Sequence, residues 1–320
     1  MGTVLRELAG DDGNRRVRYS VRIVREWRSA LFVPANAKER IAKAHLRGAD
    51  AIILDLEDAV LPAAKDDARS QLGVAVGVLS AEKVPVLIRV NSSWRELAAD
   101  LGVAIPAGVR GLVIPKVEGY ERVWAIADMV GEFESQLGLE SGAIGLFALI
   151  EHPAALNSLD RITRIPRVRA LGLGSEDFAL AMGVAPTASI LQPACQALAF
   201  AAAERGLAAY GLPISLAEFN DLEAYRAAAV QARAMGMTGA MCIHPSQVPV
   251  LNAVFAPSAK EILEAQRVVS AWQTAVAEGR SVVALDGRMV DKPVAERARR
   301  LLDRSRSDAA PIDAPALKCT

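Results

Sequence analysis

Ala51-Ile52-Ile53-Leu54-Asp55-Leu56-Glu57-Asp58 is a short apolar run that ends in carboxylates. A stretch with helical spacing follows it, and the same unit recurs between Arg28 and Ser246. The runs are Ala30–Val33, Ala51–Leu56, Val84–Val90, Gly111–Ile114, Ile144–Ile150, Ala170–Gly174, a weaker Ala208–Ile214, and Gly239–Ile243. Continuous apolar runs suit strands covered on both faces, as in parallel sheets. Strands alternating with helices suggest repeated βαβ units. Eight units over roughly 220 residues match the ~250-residue size of a (β/α)8 TIM barrel. A doubly wound open sheet is the competing arrangement, but no glycine-rich fingerprint follows the first run. The spacing predicts helices over Ala37–Arg47, Tyr120–Leu137, Ser189–Arg205 and Leu222–Met235.

After Ser246 the texture changes. Ser258 with Glu261 three positions on has the capping-box pattern, and that helix should run to about Ala277. Residues 278–291 read as a loop or short hairpin, and Pro293–Arg304 as a last helix. The expected division is an Arg-rich arm at 1–27, the barrel at 28–256, a lid segment at 257–304 and a mobile tail at 305–320.

Composition narrows the function classes. The chain has 320 residues, 52% hydrophobic, with 37 Lys+Arg against 37 Asp+Glu. Such apolar content excludes a disordered chain. Zero net charge and 5% aromatics argue against nucleic acid as a partner. No apolar run approaches the ~18 residues of a membrane span. Cys195, Cys242 and Cys319 show neither a disulfide framework nor metal spacing, so the cytoplasm is the expected location. The arm's arginines, from Arg15 to Arg28, are interrupted by Glu26 and preceded by Glu7, Asp11 and Asp12, which favours a solvated arm or extra strand over a targeting signal.

Catalytic groups of a barrel sit at the C-terminal ends of its strands. In chain order those ends carry Pro34-Ala35-Asn36, then Asp55, Glu57 and Asp58, then Arg89 and Asn91, then Pro115-Lys116. Glu151-His152, Ser175-Glu176-Asp177, Ser215 and His244-Pro245 follow. Five or six carboxylates at one mouth repel one another, and a divalent cation relieves this. Oxygen-only ligands suit Mg2+ or Mn2+. Glu151 and Asp177, on adjacent strands, are placed to share one ion, with open positions for a 2-oxo or 2-hydroxy carboxylate. Arg89 suits that carboxylate through its planar fork. Each group also has a local reading, as helix-start residues for Asp58 and Asp177 or as an ion-pair partner for Arg89. His244 reads as a packed, hydrogen-bonded histidine.

The sequence resembles the citrate lyase beta subunit family, which includes the malyl-CoA and citramalyl-CoA lyases of the HpcH/HpaI aldolase superfamily. The resemblance starts at Arg28–Pro34, Lys43-Ala44, Gly48-Ala49-Asp50 and Leu54–Val60. It continues through Ile88–Asn91, Ile114–Glu118, Leu149-Ile150-Glu151, Gly172–Asp177, Ile243–Gln247 and Asp286–Asp291. It implies a TIM barrel with a C-terminal helical lid, magnesium on Glu151 and Asp177, and Arg89 orienting the substrate acid. It further implies Asp291 as acid/base on a lid that closes over a neighbour's site in a homo-oligomer, a trimer or hexamer. Glu57 and Asp58 are expected to contact substrate or orient Arg89 and metal-bound water. Arg28 and Lys43 are expected to bind the CoA portion.

The expected activity is cleavage of a short 3-hydroxyacyl-CoA (malyl-, citramalyl- or citryl-thioester) to acetyl-CoA and a keto acid. Alternatives are a citrate lyase complex subunit using an acyl carrier protein, a malyl-CoA thioesterase, a pyruvate-type aldolase or a non-catalytic ligand-binding paralogue. The chain departs from the family at His152, Gly211 and Ala240, and these departures bear on acyl-CoA binding and substrate.

Overall fold

The computed structural model describes residues 27–309, so all but the last residue of the Arg-rich arm lies outside the described part. Eight parallel strands form one sheet: β1 Ser29–Pro34, β2 Ala51–Asp55, β3 Val86–Arg89, β4 Gly111–Val117, β5 Gly145–Ile150, β6 Val168–Leu173, β7 Ala208–Tyr210 and β8 Ala240–Cys242. Their order is β7-β6-β5-β4-β3-β2-β1-β8. A bridge between Tyr210 and Gly239 brings β7 beside β8 and closes the barrel. Helices alternate with the strands and cover the outside.

Side-chain alternation builds two apolar layers. Ala30, Ala51, Ile53, Leu87, Val113, Phe147, Leu149, Ala170 and Met241 point inward and pack together. Leu31, Val33, Ile52, Leu54, Ile88, Leu112 and Ile114 face outward, onto the helices. Trp27 fills the end of the barrel where the strands begin, its ring stacked 5.5 Å from Phe147. A β-carbon at Gly239 would lie 2.2 Å from the Trp27 carbonyl oxygen, so only glycine allows this closure.

Three local features differ from the sequence expectation. The helix expected over 37–47 divides into Lys38–Ala42 and a tight turn, Ala44–Arg47, that ends at Gly48 with φ of 72°. β7 keeps only Ala208–Tyr210 of the run expected over 208–214, although the Gly211 N–H still donates to the Gly239 carbonyl at 3.2 Å. The last helix runs Lys292–Ala309, so it extends into the stretch expected to be a tail.

The helix Ala259–Ala277 starts on the capping box of Ser258 and Glu261. It packs with a hairpin, β9 Val283–Leu285 and β10 Arg288–Val290, and with the last helix through Trp272, Val290 and Ala295. Arg233 ties this unit to the barrel helix Leu222–Met235 by a 2.9 Å ion pair with Glu261. Among the described residues no helix is long and apolar enough to cross a membrane.

Candidate active site

Asp55, Arg89 and Glu151 each stand two residues beyond an inward apolar side chain: Ile53, Leu87 and Leu149. The two-residue period of a strand therefore turns all three into the barrel at its C-terminal end. Asp55 and Arg89 are partners in the β2–β3 register. Arg89 Nε and Nη2 donate to the two Asp55 oxygens at 2.8 and 2.6 Å. Asp55 also accepts the backbone N–H groups of Glu57 and Ala59, which fixes the turn after β2. The Arg89 guanidinium lies 4.9 Å over the Phe32 ring. Its Nη1 is 3.3 Å from Glu57 Oε2 and 3.6 Å from Asp58 Oδ2. Burial opposes the Arg89 charge, but Asp55, Glu57 and Asp58 hold the group more firmly protonated than usual.

β4 carries the local irregularity of the site. Its register with β5 shifts between Ile114 and Val117, and Lys116 has φ of 51°, in the left-handed region. This turns the Lys116 N–H toward Glu151, whose Oε2 accepts it at 2.5 Å. The Lys116 ammonium lies 3.2 Å from Glu57 Oε1 and 3.7 Å from Asp58 Oδ1. Glu57 is buried, and its two oxygens have these ion pairs but no hydrogen bond. Burial raises its pKa despite the two cations.

Glu151 is also buried, and Gly174 makes room for it. A β-carbon at Gly174 would stand 2.5 Å from Glu151 Cγ and 2.7 Å from Oε1. Burial pushes the Glu151 carboxyl up to about 8; the charges of Asp177 and Glu57 add to the rise, while the Lys116 N–H and Arg89 oppose it. Asp177 comes from the first turn of the helix Ser175–Ala181. Next to it, Glu176 accepts a 2.5 Å hydrogen bond from the Ser215 hydroxyl.

These groups surround a cleft of about 690 Å³. Its lining includes Asp55, Asp58, Arg89, Glu151, Glu176 and Asp177 from the β2, β3, β5 and β6 ends. Arg40 and Arg47 after β1, and His244 after β8, supply a wall of different charge. His244 stacks 4.8 Å from Phe219, and its Nδ1 lies 2.7 Å from the Ser246 hydroxyl. His152, one of the departures from the family, accepts the Ala154 N–H and so starts the turn Pro153–Ser158.

Of the residues singled out from sequence, Arg89, Asp58, Glu151 and Asp177 line this cleft, and Glu57 touches Arg89 beside it. Three others are placed elsewhere. Arg28 precedes β1, at the opposite end of the barrel, where it forks onto Asp50 at 2.7 and 2.8 Å. Lys43 is exposed on a turn whose cleft-facing residues are Arg40, Ala44 and Arg47. Asp291 caps the last helix by accepting the Val294 N–H at 3.1 Å, and is not among the described residues that line the cleft. Asp55 and Lys116 were named at strand ends without an individual role, and Arg40 and Arg47 were not singled out in the sequence. The i, i+4, i+7 spacing of Arg40, Ala44 and Arg47 was the available signal for the last two.

The donors at the mouth suit a hard cation. Among the described residues no group of three or more His, Cys, Asp or Glu is arranged to hold a metal ion. Glu151 and Asp177 offer a two-carboxylate set, which is how magnesium is commonly held beside waters or substrate oxygens. A cation there offsets the burial and mutual repulsion that raise the Glu151 pKa. The residues present therefore fit such an ion.

An eight-stranded parallel barrel with its charged groups at the C-terminal strand ends is built as barrel enzymes are. Residues 28–245 match the HpcH/HpaI aldolase/citrate lyase model, and the chain belongs to that family. It is 32% identical over 288 residues to the citrate lyase subunit beta of Escherichia coli K12, covering 89% of this chain and 95% of that one. It is 31% identical over 287 residues to a (3S)-malyl-CoA thioesterase of Cereibacter sphaeroides, covering 89% and 96%. Among solved structures it resembles the protein CitE of Mycobacterium tuberculosis in complex with magnesium, acetoacetate and coenzyme A. That match has a TM-score of 0.69 and 27% identity, and covers 87% of this chain and 97% of that one.

Proposed function

We propose that this protein is a magnesium-dependent carbon–carbon lyase that cleaves a short 3-hydroxyacyl-CoA into acetyl-CoA and a keto acid. The observation that carries the reading is the meeting of Glu151, Asp177 and Arg89 on one cleft. Glu151 and Asp177 would hold the ion, magnesium or manganese. When bound, the ion polarises the substrate oxygen that becomes the keto group. Arg89, fixed along one edge by Asp55, directs Nη1 at the substrate carboxylate. Arg40 and Arg47 line the β1 wall and would pair there with the phosphates of the CoA portion. Asp58 and Glu57 keep Nη1 in place.

Cleavage requires a base for the substrate hydroxyl proton. The C–C bond then breaks, its electron pair passes to the thioester as an enolate, and a proton returns to carbon to give acetyl-CoA. Asp291 is the base in this reading, delivered by the lid of a neighbouring copy in a homo-oligomer, since it stands away from its own cleft. A closed lid also keeps water from the enolate and thioester.

A second reading, hydrolysis of malyl-CoA, is favoured by the thioesterase relative. A third, a subunit acting on a carrier-bound thioester, is favoured by the citrate lyase beta subunit relative. One experiment separates them. The purified protein is incubated with magnesium and malyl-, citramalyl- or citryl-CoA, and products are read by mass spectrometry. EDTA-sensitive release of acetyl-CoA with a keto acid supports the lyase. Free CoA with the intact hydroxy acid supports the thioesterase. Turnover confined to an acyl-carrier-protein thioester supports the complex subunit.

A further inference from the structure

The barrel mouth holds more carboxylates than one cation needs. Asp55, Glu57 and Asp58 stand at the end of β2, and Glu151 and Asp177 at the ends of β5 and β6. Two sequence-adjacent carboxylates, Glu57 and Asp58, share the same ammonium and the same guanidinium nitrogen, so both face one small volume. Without the Lys116 ammonium, that volume offers two carboxylates, an oxygen-only donor set of the kind hard divalent ions take.

The two cations divide the acids unequally. Arg89 spends Nε and Nη2 on Asp55 and offers only Nη1, at 3.3 and 3.6 Å, to Glu57 and Asp58. Lys116 supplies the remaining charge to both, at 3.2 and 3.7 Å. The same residue gives its backbone N–H to one oxygen of Glu151, Oε2, while the other, Oε1, is turned toward Gly174. It holds both positions from a left-handed backbone, φ 51°, inside an irregular strand. Such a conformation is uncommon for a non-glycine residue and marks a position held by its surroundings.

We infer that Lys116 is a positioning residue that selects where the divalent cation binds: its ammonium occupies the Glu57–Asp58 pair, leaving Glu151 and Asp177 as the available set. This rests on the reading of Glu151 and Asp177 as the ion's ligands.

The test counts bound ions rather than turnover. Mn2+ is titrated into wild type and Lys116→Met, with binding read by electron paramagnetic resonance and calorimetry. Wild type should bind one ion per chain and Lys116→Met two, the second at least tenfold weaker than the first. Lys116→Arg should return the count to one, because a cation again faces Glu57 and Asp58. Adding Glu57→Gln and Asp58→Asn to Lys116→Met should also return it to one. Lys116→Gly keeps the backbone N–H, accepts the positive φ and lacks the ammonium. It should behave like Lys116→Met and stands in if that variant fails to fold. One ion in every variant, even with tighter binding, overturns the selecting role and leaves Lys116 as background charge. No Mn2+ bound by wild type overturns the ligand reading instead. One ion in wild type that is lost in Glu151→Gln, with no second ion in Lys116→Met, preserves the ligand reading and sinks this inference alone.

Discussion

Asp55 holds the Nε–Nη2 edge of Arg89 with hydrogen bonds of 2.8 and 2.6 Å across adjacent strands, and both groups are largely removed from solvent. This fixes which part of the guanidinium is left for a ligand. Replacing Asp55 with Ala removes the fork's partner and leaves the arginine to Glu57 and Asp58. Loss of one partner of a buried pair costs about 3–5 kcal/mol. The expected result is a lower urea midpoint together with a KM for the hydroxyacyl thioester raised more than kcat is lowered. An unchanged KM with only the midpoint shifted would assign Asp55 to the fold alone.

Gly174 is constrained by what lies over it. An added β-carbon would sit 2.5 Å from Glu151 Cγ, closer than any normal contact. Gly174→Ala therefore displaces Glu151. The strain of overpacking is about 1–3 kcal/mol. Divalent-ion affinity, measured by calorimetry, should fall at least tenfold, and circular dichroism should show a retained fold. Glu151→Gln should lose metal-dependent turnover at saturating magnesium without loss of the barrel. Retained turnover there would remove Glu151 from the ligand set.

The barrel was legible in the sequence because every strand is an apolar run, and a buried parallel strand demands one. The eight runs correspond to β1–β8, although β7 keeps only Ala208–Tyr210. The inward direction of Asp55 was also recoverable, by counting two from Ile53. Lys116 was not recoverable, because its role depends on a left-handed backbone that lysine does not signal. Arg28 stands directly before β1, so it lies at the far end of the barrel from the mouth. There it fastens β1 to Asp50, next to β2. Lys43 stands off the cleft because the expected helix breaks after Ala42, and the face toward the cleft carries Arg40 and Arg47.

Glu134 gives the barrel a pH dependence unrelated to the cleft. Its carboxylate is buried, receives both terminal nitrogens of Arg167 at 3.0 and 3.1 Å, and accepts the N–H groups of Gly142 and Ile144. Burial pushes its pKa up, but the Arg167 fork and the two N–H groups outweigh it, so the net shift is downward. A depressed carboxyl stabilises the fold above its unfolded pKa, and that contribution disappears as pH falls through the lower folded value. Glu134→Gln should be less stable than wild type at pH 7, by about 3 kcal/mol for a broken buried pair. The gap should begin to narrow as pH falls below the ordinary glutamate value of 4.5 and close only below the lower folded value. Urea unfolding at pH 7 and at about pH 3 measures it. A gap that stays constant between them would show that the carboxylate charge contributes nothing.

Asp291 poses a question of chain partnership. Its carboxylate caps the last helix, and Val290 beside it packs into the small core of the C-terminal helices and hairpin with Trp272 and Ala295. If that lid serves a neighbour, a working site combines the barrel of one copy with the Asp291 of another. Asp291→Ala and Arg89→Ala should each be inactive alone. Co-refolded in equal amounts they should regain turnover, because half the barrels keep Arg89 and half the lids keep Asp291. Random pairing in a closed assembly gives about one quarter of wild-type activity. A mixture as inactive as its components, with mixed oligomers demonstrated by mass spectrometry, would place both residues in the same chain's site. The lid would then have to swing about the Ala256–Ser258 connection to reach its own cleft.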